Sequence, residues 1–92
     1  MLNRRNVKGL VSGRVQGVGF RYHVLRHAQA EKLGGYVRNM ADGRVEFFLQ
    51  GEPTAVARVI GHIRSGPAYA RVDEVVLDEI DSAESRSEFT IR

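Results

Sequence analysis

The chain has 92 residues, 42% hydrophobic and 27% charged, enough for one domain with a single modest core. It has no cysteine, which excludes a disulfide framework and a thiolate zinc site, and no apolar run suited to a membrane span or a signal peptide, so a soluble cytoplasmic protein is expected. The net charge of +3 is uneven, +6 over residues 1–46 and −3 over residues 47–92, and the basic residues stand singly apart from Arg4-Arg5; this suits a local site for a small anion better than a broad nucleic-acid face.

Residues 1–6 are polar and aperiodic and read as a frayed start. Val7–Arg14 alternates Val7, Gly9, Val11 and Gly13 against Lys8, Leu10, Ser12 and Arg14, which predicts a strand weakened by its two glycines. The next turn is rich in glycine, with Gly13, Gly17 and Gly19 set among small and apolar residues, and the run from Arg14 ends on Arg21. Glycine permits positive φ, and such a turn can aim successive N–H groups into one anion-binding concavity. A helix starting near Arg21 would add its free N–H groups, and the guanidinium a fork matched to phosphate oxygens. Taken alone, the same stretch also reads as a plain strand-to-helix connection.

From Arg21 to about Leu33, Phe20, Val24, Ala28 and Leu25 fall at helical spacing, with Gly34-Gly35 as the stop. Tyr36–Asn39 is a short strand, Asp42-Gly43 the centre of a tight hairpin turn, and Arg44–Gln50 the returning strand with Val45, Phe47 and Leu49 on one face. After Gly51-Glu52-Pro53, the stripe Val56, Val59, Ile60 and Ile63 predicts a helix that ends at Gly66-Pro67. Val72–Ile80 is a strand whose apolar residues change parity, as a bulge or burial on both faces would require. A polar turn, Asp81–Arg86, leads to a terminal edge strand, Glu88–Arg92, with Phe89 and Ile91 in phase. This order predicts an α+β ferredoxin-like βαββαβ sandwich, an antiparallel sheet with both helices on one face and a short C-terminal strand.

The run Gly13-Arg14-Val15-Gln16-Gly17-Val18-Gly19-Phe20-Arg21 resembles the signature loop of the acylphosphatases. The resemblance continues through Ala28, Gly35-Tyr36-Val37-Arg38-Asn39, Asp42-Gly43-Arg44-Val45-Glu46, Gly66-Pro67, Ala70-Arg71-Val72 and Phe89-Thr90-Ile91, covering roughly residues 7–92. It implies one acylphosphatase-like domain over residues 1–92 with the sandwich fold. The activity it implies is metal-independent hydrolysis of carboxylic–phosphoric mixed anhydrides to carboxylate and phosphate, with no cofactor. Backbone amides of Val15, Gln16, Gly17, Val18, Gly19 and Phe20 would hold the phosphoryl oxygens with Arg21. Asn39 would orient the attacking water, from a strand expected beside the first strand and the loop. The implied partners are a small-molecule acyl phosphate and inorganic phosphate as product inhibitor, with neither nucleic acid nor membrane, and the chain is expected to be a monomer. Phosphoryl transfer rests on positioning and electrostatics, and a carboxylate leaves without a general acid, so no dedicated base is needed. The sequence departs from the family at Glu31-Lys32, where an apolar residue and then glycine are usual; the expectation is a first helix that runs on a little longer.

Other readings stand beside these. Arg21 could be a helix-start arginine in a salt bridge, and Asn39 a hairpin residue bonding its own backbone. His23 and His27, at i and i+4, share a helix face as a metal pair would, without a third ligand at recognisable spacing. Asp42 reads as turn chemistry and Asp78–Glu84 as a solvated acidic edge. Arg14 and Arg38 add positive field outside the immediate site. Tyr36 and Phe48 could be exposed sheet aromatics of an RNA binder, although the aromatic motif of that class is missing. A non-catalytic phosphate- or carbamoyl-phosphate-binding module, as at the start of carbamoyl-transfer maturation proteins, is the nearer rival.

Overall fold

The structure, a computed structural model, describes residues 3–81 and 84–92. Alternation in the first strand sets the inner face of the sheet: Val7 and Val11 of β1 (Arg5–Arg14) are fully buried, and Gly9 between them leaves room for the ring of Phe47. The chain continues through α1 (Phe20–Ala30), β2 (Gly34–Asn39), β3 (Val45–Gly51), α2 (Pro53–Ser65), β4 (Arg71–Glu79) and β5 (Phe89–Ile91). The sheet order is β4-β1-β3-β2-β5; the first four are paired antiparallel, and β5 runs parallel to β2. Phe20, Val24 and Ala28 of α1 and Val56, Val59, Ile60 and Ile63 of α2 close over Val7, Val11, Val37, Val45, Phe47 and Leu49 in one core. This is the ferredoxin-like sandwich; its fifth strand makes the sheet mixed rather than wholly antiparallel.

Several boundaries differ from the sequence expectation for local physical reasons. β1 begins at Arg5, because Arg5 pairs with Gly51 and its guanidinium grips Glu79 at 2.7 Å; Met1 and Leu2 lie outside the described residues. α1 does not run on to Leu33. It ends at Ala30, where Lys32 turns to φ 59° and its N–H donates to Gln29 O (3.0 Å), while Leu33 N–H donates to Ala28 O (2.9 Å). That bond pair closes a helix end usually given to glycine, so Gly34-Gly35 become the start of β2 instead of the stop.

The hairpin is longer than a two-residue turn. Gly43 N–H donates to Met40 O, so Ala41-Asp42 are the central pair, and Gly43 follows at φ 94°. In β4 a register shift opposite Ser12/Gly13 leaves Asp73 unpaired, and this bulge lets Val72, Val75 and Leu77 all pack on the core.

The outer sheet face is not an open aromatic platform. Tyr36 is 7% and Phe48 4% exposed, because the chain after β4 crosses this face to reach β5. Gln50 ties the crossing down: its Nε2 donates to Asn6 Oδ1 (2.8 Å) and Glu84 O (2.7 Å), and its Oε1 accepts from Arg86 N–H (2.7 Å). This removes the RNA-stacking reading. Of the predicted turn Asp81–Arg86, Ser82 and Ala83 lie outside the described residues.

Candidate active site

The loop between β1 and α1 takes its shape from Gly17 (φ 75°) and Gly19 (φ 79°), conformations strained for an L residue. Gly19 is the N-cap of α1, and no side chain caps this end, nor does an acidic residue stand in the first turn. The other helix shows the contrast. The N-terminus of α2 is closed by its own Glu52 carboxylate, which accepts from Thr54 and Ala55 N–H at 3.2 and 3.1 Å and is held below its ordinary pKa by those bonds. The start of α1 keeps its donors and its positive dipole end for something else.

A pocket of about 190 Å³ opens there, lined by Val15, Gly17, Gly19, Phe20, Arg21 and Asn39, with Tyr22 and Ile91 at its sides. Arg21 is half-buried and makes no ion pair among the described residues, which removes its reading as a salt-bridged helix-start arginine. Asn39 Oδ1 is buried with no hydrogen-bond partner, so this side chain does not fold back on its own hairpin. The expectation that the Asn39 strand lies beside the first strand does not hold: β3 stands between β1 and β2, because β1 and β2 both pair with it. Asn39 nonetheless reaches the same pocket, on the helix side of the sheet in phase with buried Val37.

Gln16 and Val18 turn their side chains elsewhere. Val18 packs against the core, and Gln16 Nε2 donates to Met40 O (2.8 Å) and Arg44 O (2.9 Å). That contact clamps the loop to the hairpin carrying Asn39. Tyr22, 60% exposed, and Ile91 are pocket residues that sequence reasoning missed. Tyr22 could have been found as the residue after Arg21 on the helix, whereas Ile91 reaches the pocket only through the parallel pairing of β5.

Nearby charged groups are engaged away from the pocket. Arg38 lies on the outer face, bonded to Glu46 at 2.7 Å; burial pushes the Glu46 carboxyl up, but the bonds from Arg38 and Tyr36 outweigh it and hold the acid below its usual range. Asp42 accepts from Arg44 Nε (2.8 Å) and N–H (3.1 Å), which keeps its carboxyl low and confirms its turn role. His23 and His27 do share a face of α1, and His62 of α2 joins them unforeseen. The His27 and His62 rings stack at 3.7 Å with planes 11° apart, and His23 Nε2–H donates to His62 O at 3.0 Å. Among the described residues no three His, Cys, Asp or Glu are arranged to hold a metal ion.

The chain is a small α+β protein, a ferredoxin-like sandwich in which an uncapped helix start, an arginine outside any ion pair among the described residues and the partnerless Oδ1 of Asn39 meet at one pocket, groups with the chemistry to meet an anion and a water. The model of the family described as Acylphosphatase matches residues 7–91. An acylphosphatase of Chlorobaculum tepidum is 43% identical over 90 residues, 98% of each chain. The crystal structure of an acylphosphatase from Bacillus subtilis has a TM-score of 0.92 at 36% identity, covering 96% of this chain and 98% of that one. HypF of T. kodakarensis has a TM-score of 0.84 at 30% identity; the match covers 96% of this chain but 12% of that one. The chain belongs to the acylphosphatase family, enzymes of acyl phosphate hydrolysis.

Proposed function

We propose that this acylphosphatase-family enzyme hydrolyses carboxylic–phosphoric mixed anhydrides by direct attack of water on phosphorus, with Arg21 and Asn39 as its two catalytic side chains. The observation that carries this reading is that one pocket holds an unpaired guanidinium, an uncapped helix start and a buried amide oxygen without a partner. The amides of the 15–20 loop and the Arg21 fork bind the phosphoryl oxygens and stabilise their charge as the P–O bond to the acyl group lengthens. Asn39 Oδ1 accepts a hydrogen bond from the attacking water and aims its lone pair at phosphorus. The new P–O bond forms, the carboxylate leaves with its electron pair, and the water proton passes to a phosphoryl oxygen of the substrate. No carboxylate or imidazole is among the pocket-lining residues, which supports the substrate as its own base. Tyr22 and Ile91 offer an apolar rim for the acyl body. The positive charge comes from the chain itself, so the enzyme works without a metal, as a monomer on small cytoplasmic acyl phosphates, and inorganic phosphate competes with substrate.

Turnover of benzoyl phosphate with and without chelator tests the reaction. Equal rates, competitively inhibited by phosphate, support it; binding without turnover favours the non-catalytic module, to which the HypF likeness also points. Arg21→Ala and Asn39→Ala are each expected to lower kcat by about 10²–10³-fold, the range for removing one transition-state donor or positioning group, with the circular dichroism spectrum unchanged. Near-normal kcat in either variant removes that residue from the mechanism.

A further inference from the structure

A second cleft lies on the sheet face opposite the helices. The rings of Tyr36 and Phe48, 6.0 Å apart, form the floor of a space of about 200 Å³ that Lys8, Arg86 and Arg92 surround, with Ile80 at one side. The Arg92 guanidinium sits 4.0 Å above the Tyr36 ring and that of Arg86 at 5.7 Å. Arg86 reaches Glu84 through Nη2 at 3.1 Å, but its Nε–H is buried with no acceptor. Lys8 and Arg92 make no ion pair among the described residues. Glu84, which Arg86 holds, is the carboxylate among the lining residues, Lys8 has Glu46 and its cross-strand partner Asp78 beside it on the same sheet face, and the Arg86 Nε–H is a buried donor left unmatched. The functional pocket does not absorb any of these groups.

We infer that this cleft is an anion site separate from the active site, and that it takes a small carboxylate. Guanidinium forks match the two oxygens of a carboxylate. No helix start and no glycine turn supplies amides among the lining residues, unlike the loop at α1, so a monoanion is favoured over a phosphate dianion. The cleft and the active site share two short segments: Tyr36 and Arg92 line the cleft, and Asn39 and Ile91 line the pocket on the other face.

Benzoate is the probe, titrated into the 15N-labelled chain with saturating inorganic phosphate present and sodium chloride at matched ionic strength as control. The expected result is saturable amide shifts around Lys8, Phe48, Arg86 and Arg92 with Kd near about 1 mM. Lys8→Gln/Arg92→Gln, which alters two exposed side chains, should weaken binding at least about tenfold while leaving benzoyl phosphate turnover unchanged. Shifts that match the salt control, or unchanged affinity in the double variant, overturn the site. So do shifts confined to residues 15–21 and 39, which would put benzoate in the active-site pocket. Phosphate alone titrating the cleft amides more tightly than benzoate overturns the carboxylate assignment. Failure of phosphate to shift the 15–21 loop would count against the active-site reading and leave the cleft measurement intact.

Discussion

Lys32 occupies the position that ends α1, with φ 59° and two N–H bonds from residues 32 and 33 back to Gln29 and Ala28. The backbone bonds and the burial of Leu33 fix the turn, so the side chain at 32 must accept a left-handed conformation. That conformation costs an L residue about 1–2 kcal/mol, partly offset because glycine loses more chain entropy on folding. Lys32→Gly is therefore expected to stabilise the chain by about 0.5–1 kcal/mol, read as a higher urea midpoint at unchanged m-value. A midpoint that stays or falls would mean the lysine side chain contributes more than the backbone strain removes. The departure from the family pattern at Glu31-Lys32 thus does not carry α1 beyond Ala30. Glu31 meanwhile gains a partner, bonding Arg58 of α2 at 2.8 Å.

Between elements, two contacts link what the sequence separates. Gln16 holds the glycine loop between β1 and α1 to the β2–β3 hairpin through Met40 O and Arg44 O. Both carbonyls keep a backbone donor, from Gly43 and Met40 N–H, if Gln16 is removed. Gln16→Ala should therefore cost only about 1 kcal/mol of stability, but lower kcat by about 10- to 100-fold by letting the loop drift from Asn39. A kcat loss no larger than the stability loss explains, with the Asn39 side-chain amide resonance unmoved, would refute the positioning role. The second contact is the histidine stack between α1 and α2. Burial first, then the neighbouring His62, His23 and Arg26, lower the His27 pKa from its ordinary 6.5, against a smaller opposing pull from Glu31. The native state thus favours neutral His27. Above pH 6.5 both states are neutral and the stability is fully present; as pH falls through 6.5 the unfolded chain takes the proton first and stability drops. The urea midpoint should fall between pH 7.5 and 5.5 by more in the wild type than in His27→Gln, and parallel profiles would exclude the stack as the cause.

At the scale of the molecule, the sheet order requires a long return. β4 and β5 are on opposite edges, so the chain between them must cross the outer face. Gln50, 2% exposed, is where that crossing is fastened, with its amide serving Asn6, Glu84 and Arg86. The crossing buries Tyr36 and Phe48 and delivers β5 to β2, which in turn brings Ile91 to the active-site pocket. Gln50→Leu keeps the volume but leaves Asn6 Oδ1 and the Arg86 N–H unmatched, so a loss of about 2–3 kcal/mol is expected. Amide exchange at Arg86 and Gly35 should accelerate beyond the global effect, since Gly35 N–H depends on Glu88 O at 3.0 Å. Uniform acceleration across the sheet would show that the crossing is not a separate unit.

Local patterning determined the element order, because alternation at Val7–Val11 and the Val56–Ile63 stripe report burial directly on the chain, and two helices with this strand order fit one sandwich. The glycine turn entering α1, with Arg21 in its first turn, was legible for the same reason: it is a contiguous feature with its own conformational demands. Asn39 was legible only by resemblance, since its strand is separated from β1 by β3 and nothing local aims it at the loop. Tertiary structure alone decided the rest. The end of α1 depended on which carbonyls Lys32 and Leu33 N–H would meet, which overrode the adjacent glycine pair. The fate of Tyr36 and Phe48 depended on where a distant segment crosses, the third histidine on how two helices pack, and Ile91 on a parallel pairing between residues far apart in sequence. These are non-local contacts, and the pattern of side chains along one element cannot specify them.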